Sequence, residues 1–245
     1  LMLGRLGEVQ MSAAALANQL FYMLMVIGFG IANGSNVLIA QYWGRGDTEK
    51  IRSILSVMYK VVLVVGLIFS AVALFAPGAV MSFFTTDEAV IAEGIKYLKI
   101  MGWVAVFYAM TTSTACMFRS VGSVTIAVLV NATSLVVNTS LNWVLIFGHL
   151  GFPAMGISGA AIATVLSRFV ELAIVATGAH RSADRYPFMR GVYHSLAIPG
   201  VLVKSIFIRS MPLLANELMW GAGQAVLLQC YSVRGIQAVA ALNIC

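Results

Sequence analysis

The chain has 245 residues, of which 60% are hydrophobic and only 10% charged, with a formal net charge of +6 and a mean hydropathy of +0.93. A soluble domain carries about 25% charged residues to make a solvated skin, so the apolar surface here must face lipid. Lys and Arg fall in short gaps between long apolar runs rather than on one clustered face, which excludes a nucleic-acid-binding protein.

A membrane-spanning helix needs about 20 apolar residues. Runs of that kind cover residues 11–43, 54–84, 97–118, 123–147, 156–179 and 204–232, and another begins near Ile236. None shows the short alternating segments of a β-barrel, so the expected fold is all-α, a polytopic bundle of transmembrane helices. The first run exceeds what a span requires and should tilt or project beyond the lipid. Gly28, Gly30 and Gly34 interrupt it with a GxxxG spacing. Small residues of this kind let helix backbones approach closely in lipid, or else mark a bend. The string GFGIANG lacks the third glycine and the preceding strand of a dinucleotide site.

The fourth run carries Asn131, Ser134, Asn138 and Asn142. Spacings of three and four place them in one polar stripe along an apolar helix. The fifth run opens with Gly156, Gly159, Ala160, Ala161 and Ala163 and returns antiparallel after a short loop containing Gly151 and Pro153. Its Thr164 lies about 12 Å from one end, and Asn138 lies about 22 Å from the opposite end of the fourth run. Their oxygens can therefore converge, either as interhelical glue or as ligands for a hard cation. Arg168 and Glu171, three apart, are spaced for an ion pair of structural or functional use.

Residues 180–200 form the longest polar stretch, with Arg181, Arg185, Arg190, Pro187 and Pro199. It reads as a linker between two bundles, with an interfacial helix over 188–198. In the sixth run Glu217 stands alone, about 20 Å deep when counted from Lys204, after a kink expected at Pro212. Asn216 adjoins it and Gln224 follows two turns on. A carboxylate at that depth should face the bundle interior, neutralised by a cation, a proton or a neighbouring helix.

Orientation follows the distribution of Lys and Arg. Arg45, Lys50, Arg52, Lys60, Arg119, Arg181, Arg185, Arg190, Lys204 and Arg209 collect on one side, which is assigned to the cytoplasm. Arg5, Lys96, Lys99 and Arg234 lie opposite, offset by Glu8, Asp87, Glu88 and Glu93. Both ends of the chain read as cut. Cys116, Cys230 and Cys245 lack CxxC spacing, which argues against disulfide or metal roles. His149, His180 and His194 fall at loop edges. No HExxH, P-loop, GxSxG or catalytic carboxylate pair occurs.

Several strings are specific: LMLGRLGEV at the start, GIANGSNVLIAQYWGRGD closing the first run and FRSVGS after the third. VNTSLNWVLIFGHLGFPAMGISGAAIATVLSR spans the fourth and fifth, and MPLLANELMWGAG lies in the sixth. In these the chain resembles the multidrug and toxic compound extrusion (MATE) family. The resemblance implies twelve helices in two six-helix lobes that export organic cations in exchange for sodium ions or protons. The chain would then hold most of one lobe in residues 1–180, with the first helix truncated. Residues 181–203 would be the cytoplasmic linker, and 204–245 the first helix and truncated start of the second lobe.

The family's cation site joins a first-helix aspartate, which belongs just before Leu1, to two polar residues on the fifth helix and a threonine on the sixth. Asn138, Asn142 and Thr164 match these last three. Glu217 matches an acidic residue that some members use on the seventh helix. Asn131, Asn216 and Gln224 are candidate substrate-cavity residues. The resemblance implies amphipathic or cationic small molecules and membrane lipid as partners and a multi-pass monomer in a bacterial inner membrane. It implies no enzyme activity, and no cofactor beyond a coupling sodium ion or proton. A flippase for lipid-linked saccharides is the alternative within the superfamily, although its cavity should be richer in Lys and Arg. An intramembrane enzyme lacks a visible nucleophile–base pair, and a scaffold has no use for the polar stripe.

Overall fold

In a chain this apolar, backbone polar groups must be satisfied within each segment, and the α-helix does so. A computed structural model describes residues 7–149, 151–181, 186–189 and 200–232. Within them lie α1 (Glu8–Gly44), α2 (Thr48–Phe75), α3 (Pro77–Phe84), α4 (Glu88–Met101), α5 (Val104–Ser120), α6 (Val124–Phe147), α7 (Gly156–Arg181) and α8 (Gly200–Ser232). A single 3-10 turn covers Pro187–Met189, and no strand occurs among the described residues. The all-α membrane-protein reading therefore holds. The interfacial helix expected over 188–198 lies outside the described residues except for Phe188 and Met189, which belong to the 3-10 turn. The segment expected near Ile236, His194, Cys245 and the side chains of Gln224 and Cys230 also lie outside them.

Two apolar runs are each divided. The run over 54–84 breaks at Ala76, and Pro77 opens α3 in its first turn, where the missing N–H forfeits no intrahelical bond. The run over 97–118 breaks at Gly102–Trp103. There the buried Ser70 hydroxyl of α2 donates to the Gly102 carbonyl at 2.7 Å. That carbonyl would otherwise serve the amide four residues on. α4 also begins earlier than its apolar run, because Asp87 caps it, accepting from the Ala89 and Val90 amides at 2.9 and 3.3 Å.

Four of these helices, α1, α2, α6 and α7, are long and apolar enough to cross a membrane. α4 and α5, of 14 and 17 residues, share one run between them, and Lys204, Arg209, Asn216 and Glu217 make α8 more polar.

α1 is the central helix and packs against α2, α4, α5 and α8. At the end bearing Arg45 to Arg52 the core joins Ile51, Leu55, Met58 and Phe118 to Phe188. Trp43 meets the Phe188 ring edge-on at 5.7 Å. At the other end Ala13, Ala17, Met81, Leu98, Ile157 and Ala161 form a second core. The GxxxG of α1 serves close packing: a methyl at Gly30 would meet the Leu214 side chain of α8, and one at Gly34 would lie 2.9 Å from the Ser210 Cα.

The α6–α7 hairpin sets the register of the site. Gly148 ends α6 at φ 73°, a left-handed conformation that favours glycine. The Met155 amide then donates to the Leu145 carbonyl at 3.0 Å. A Cβ at Gly159 would stand 2.8 Å from the Leu145 carbonyl carbon, so only glycine lets α7 approach this closely. Counting inward from Leu145 and Gly159 brings Asn138 opposite Ser167. The outward face of α6, with Val128, Leu129 and Val136, is exposed, as a lipid-facing surface requires.

Candidate functional site

The amide stripe of α6 closes onto α7 in a short chain of hydrogen bonds. Asn142 Nδ2 donates to Asn138 Oδ1 at 2.8 Å, and Asn138 Nδ2 donates to Ser167 Oγ at 3.1 Å. The Ser167 hydroxyl donates to the Thr164 carbonyl at 2.9 Å, while Thr164 Oγ1 donates to the Ala160 carbonyl at 2.9 Å. One acceptor is left over: Asn142 Oδ1 is buried without a hydrogen-bond partner. An unsatisfied buried carbonyl costs about 1–3 kcal/mol and marks a place for a water or a cation.

Beside this cluster lies a cavity of about 940 Å³ walled by α1, α4, α5, α6 and α7. α6 and α7 contribute Asn131, Ser134, Asn138 and Thr164; α1 contributes Asn18, Gln19 and Tyr22; Tyr97 and Tyr108 come from α4 and α5. Tyr97 donates its hydroxyl to Asn18 Oδ1 at 3.2 Å, which fixes the ring against α1. Arg168 and Glu171 are the charged residues among the described lining. Their spacing of three closes as expected: Arg168 Nη1 donates to both carboxylate oxygens, at 2.7 and 2.8 Å. The guanidinium lies over the Tyr108 ring, 5.1 Å from its centroid.

The structure thus brings Asn131, Asn138 and Thr164 to one cavity and holds Asn142 against Asn138. Glu217 and Asn216 are elsewhere, on α8, which packs along α1. Glu217 is half-buried and Asn216 exposed, and neither is among the cavity-lining residues. Sequence reasoning missed Ser167, Asn18, Gln19, Tyr22, Tyr97 and Tyr108. Amides within the first apolar run carried a usable signal, since each is costly to place in lipid. Among the described residues no cluster of His, Cys, Asp and Glu fit for a metal ion occurs.

This arrangement has relatives. The MatE family profile matches residues 1–144. A probable multidrug resistance protein NorM of Rhizobium meliloti is 36% identical over 166 residues, covering 67% of this chain and 35% of that protein. A crystal structure of a MATE protein in complex with MaD3S superposes with a TM-score of 0.84 at 20% identity, over 99% of this chain and 53% of that one. An outward-facing multidrug resistance MATE family transporter of the MOP superfamily gives 0.79 at 19% identity, over 93% and 49%. The chain spans about a third to a half of the length of the curated relatives it matches. With the profile covering more than half of its residues, and with a helical bundle that superposes on solved members of the family, this chain belongs to the multidrug and toxic compound extrusion (MATE) family.

Proposed function

We propose that the chain supplies most of the first lobe of a secondary active multidrug efflux antiporter, which exports organic cations in exchange for sodium ions or protons by alternating access. Residues 1–180 belong to that lobe, 181–203 to the linker and 204–245 to the opening of the second lobe. The protein acts as a monomer in a bacterial inner membrane on amphipathic or cationic small molecules. The observation that carries this reading is the cavity of about 940 Å³, whose amides and tyrosines are interleaved with Phe21, Leu24, Met25 and Met101. Drug-sized ligands need such a volume, mostly apolar with a few fixed polar groups.

Asn138, Asn142 and Thr164 hold the coupling cation beside the cavity, with the unpartnered Asn142 Oδ1 as the available ligand. Glu217 is a second coupling group, with Asn216 and Gln224 near it on α8. The test is efflux of a fluorescent cationic dye by the full-length protein in liposomes, driven in turn by sodium and by pH gradients. Asn138→Leu and Glu217→Gln should each slow efflux at least about tenfold, a loss near 1.4 kcal/mol if cation binding governs the rate. Expression should stay near the unsubstituted level. Unchanged efflux in both variants under every gradient refutes the coupling assignment, and absence of dye transport by the parent protein refutes the transport reading.

A further inference from the structure

We propose that Arg168 is an anion-recognising group of the cavity, so that the site selects amphipathic ligands carrying a carboxylate beside their cationic group. This rests on the reading of the cavity as a transport site. A guanidinium has five N–H donors in a planar fork, and a carboxylate that takes up its fork uses two nitrogens side by side. Glu171 does not. Both its oxygens are held by Nη1 alone, and the donors on Nε and Nη2 have no partner among the described residues. Glu171 is 3% exposed, whereas the Arg168 side chain keeps 31% of its surface open, on the wall of the cavity. The Tyr108 ring supports the guanidinium from one side, with its centroid 5.1 Å from Cζ, and the donors not taken by Glu171 remain available to an acceptor.

The remaining polar lining consists of neutral amides and hydroxyls, so Arg168 is the group there suited to a carboxylate. Tyr22 and Phe21, also on the lining, offer aromatic faces to the cationic portion of the same ligand. Glu171 keeps the empty cavity close to neutral, which lets a zwitterion enter without leaving an uncompensated charge behind.

The experiment compares two probes that differ only at the anion, rhodamine B and its methyl ester, on the full-length protein. Binding is followed by fluorescence polarisation in detergent, and efflux in liposomes. The double variant Arg168→Gln/Glu171→Gln removes the pair without leaving a lone buried charge. It should weaken rhodamine B binding at least about tenfold and leave the ester within about twofold, with efflux following the same split. Arg168→Lys keeps the charge but loses the fork, and should weaken rhodamine B alone by a smaller factor; it decides the matter if the double variant fails to fold. Equal loss for both probes, or no loss for either, overturns the proposal. Parent protein that binds rhodamine B more tightly than the ester yet transports neither would instead refute the transport reading and leave the anion assignment standing.

Discussion

Gly34→Ala should separate α8 from α1, and the size of the effect follows from the geometry. The new methyl carbon would lie 2.9 Å from the Ser210 Cα and against the Ser210 hydroxyl. Carbon atoms rest at about 3.5–4.0 Å, so α8 must retreat by roughly 0.6 Å or more. The obstacle is backbone, which no rotamer change removes. A gap of that order forfeits a quarter to a half of each contact's attraction along the seam, and overpacking typically costs about 1–3 kcal/mol. Gly30→Ala should be milder, because it meets the Leu214 side chain, Cγ included, rather than backbone, and a rotation about χ1 can move that side chain away. Gly28→Ala meets nothing within 4 Å and should be neutral, or stabilise α1 by up to about 1 kcal/mol through helix propensity. The assay is thermal unfolding of the full-length protein in detergent, with the three alanine variants side by side. Equal melting temperatures for the Gly34 and Gly28 variants would refute the packing argument. Ser210→Ala supplies a check of opposite sign: that hydroxyl is buried without a partner, so its removal should be neutral or slightly stabilising.

Other outcomes follow from single contacts. Ser70→Ala should destabilise by about 1 kcal/mol, because the Gly102 carbonyl loses its donor at the α4–α5 break; an unchanged melting temperature would mean that water replaces the hydroxyl. Asp47 caps α2 through the Lys50 amide, and its carboxyl is held below the usual value of 3.8 by hydrogen bonds from the Lys50 backbone and ammonium. A depressed carboxylate contributes stability above its unfolded value that disappears as pH falls through the folded one. Acid titration below about pH 4 should therefore loosen the α1–α2 turn, and Asp47→Asn should abolish that dependence while keeping the cap. Single cysteines in the loops at 45–52 and 181–190 of an otherwise cysteine-free full-length protein should resist impermeant thiol reagents added outside cells, and ready labelling of both would reverse the orientation.

How much of this the sequence discloses depends on whether a feature is local. Apolar runs disclose the helices because a span is a property of about 20 consecutive residues. They do not disclose the breaks at Ala76 and Gly102. Pro77 is compatible with a kinked helix as well as with a new one, and the Gly102 break depends on a hydroxyl from Ser70, 32 residues away. The α6 stripe and the Arg168–Glu171 pair are legible because spacing along a helix fixes their relation. The α4, α5 and α1 walls of the cavity are not, since Tyr97, Tyr108 and Tyr22 look like ordinary members of apolar runs until five helices converge.

Depth and isolation were the signals that singled out Glu217, on the principle that a charge in lipid must earn its place. Isolation along the chain is not isolation in space, however. Glu217 lies outside the cavity lining, on α8, the helix that Gly30 and Gly34 of α1 let approach at Leu214 and Ser210. Arg168 has a partner one turn away and reads as self-satisfied, yet that partner occupies only one of its nitrogens while the side chain stays part-exposed on the cavity wall. For a guanidinium, the number of donors left over carries more information than whether a counter-ion is present. Spacing reports the counter-ion, whereas only the fold reports the donors.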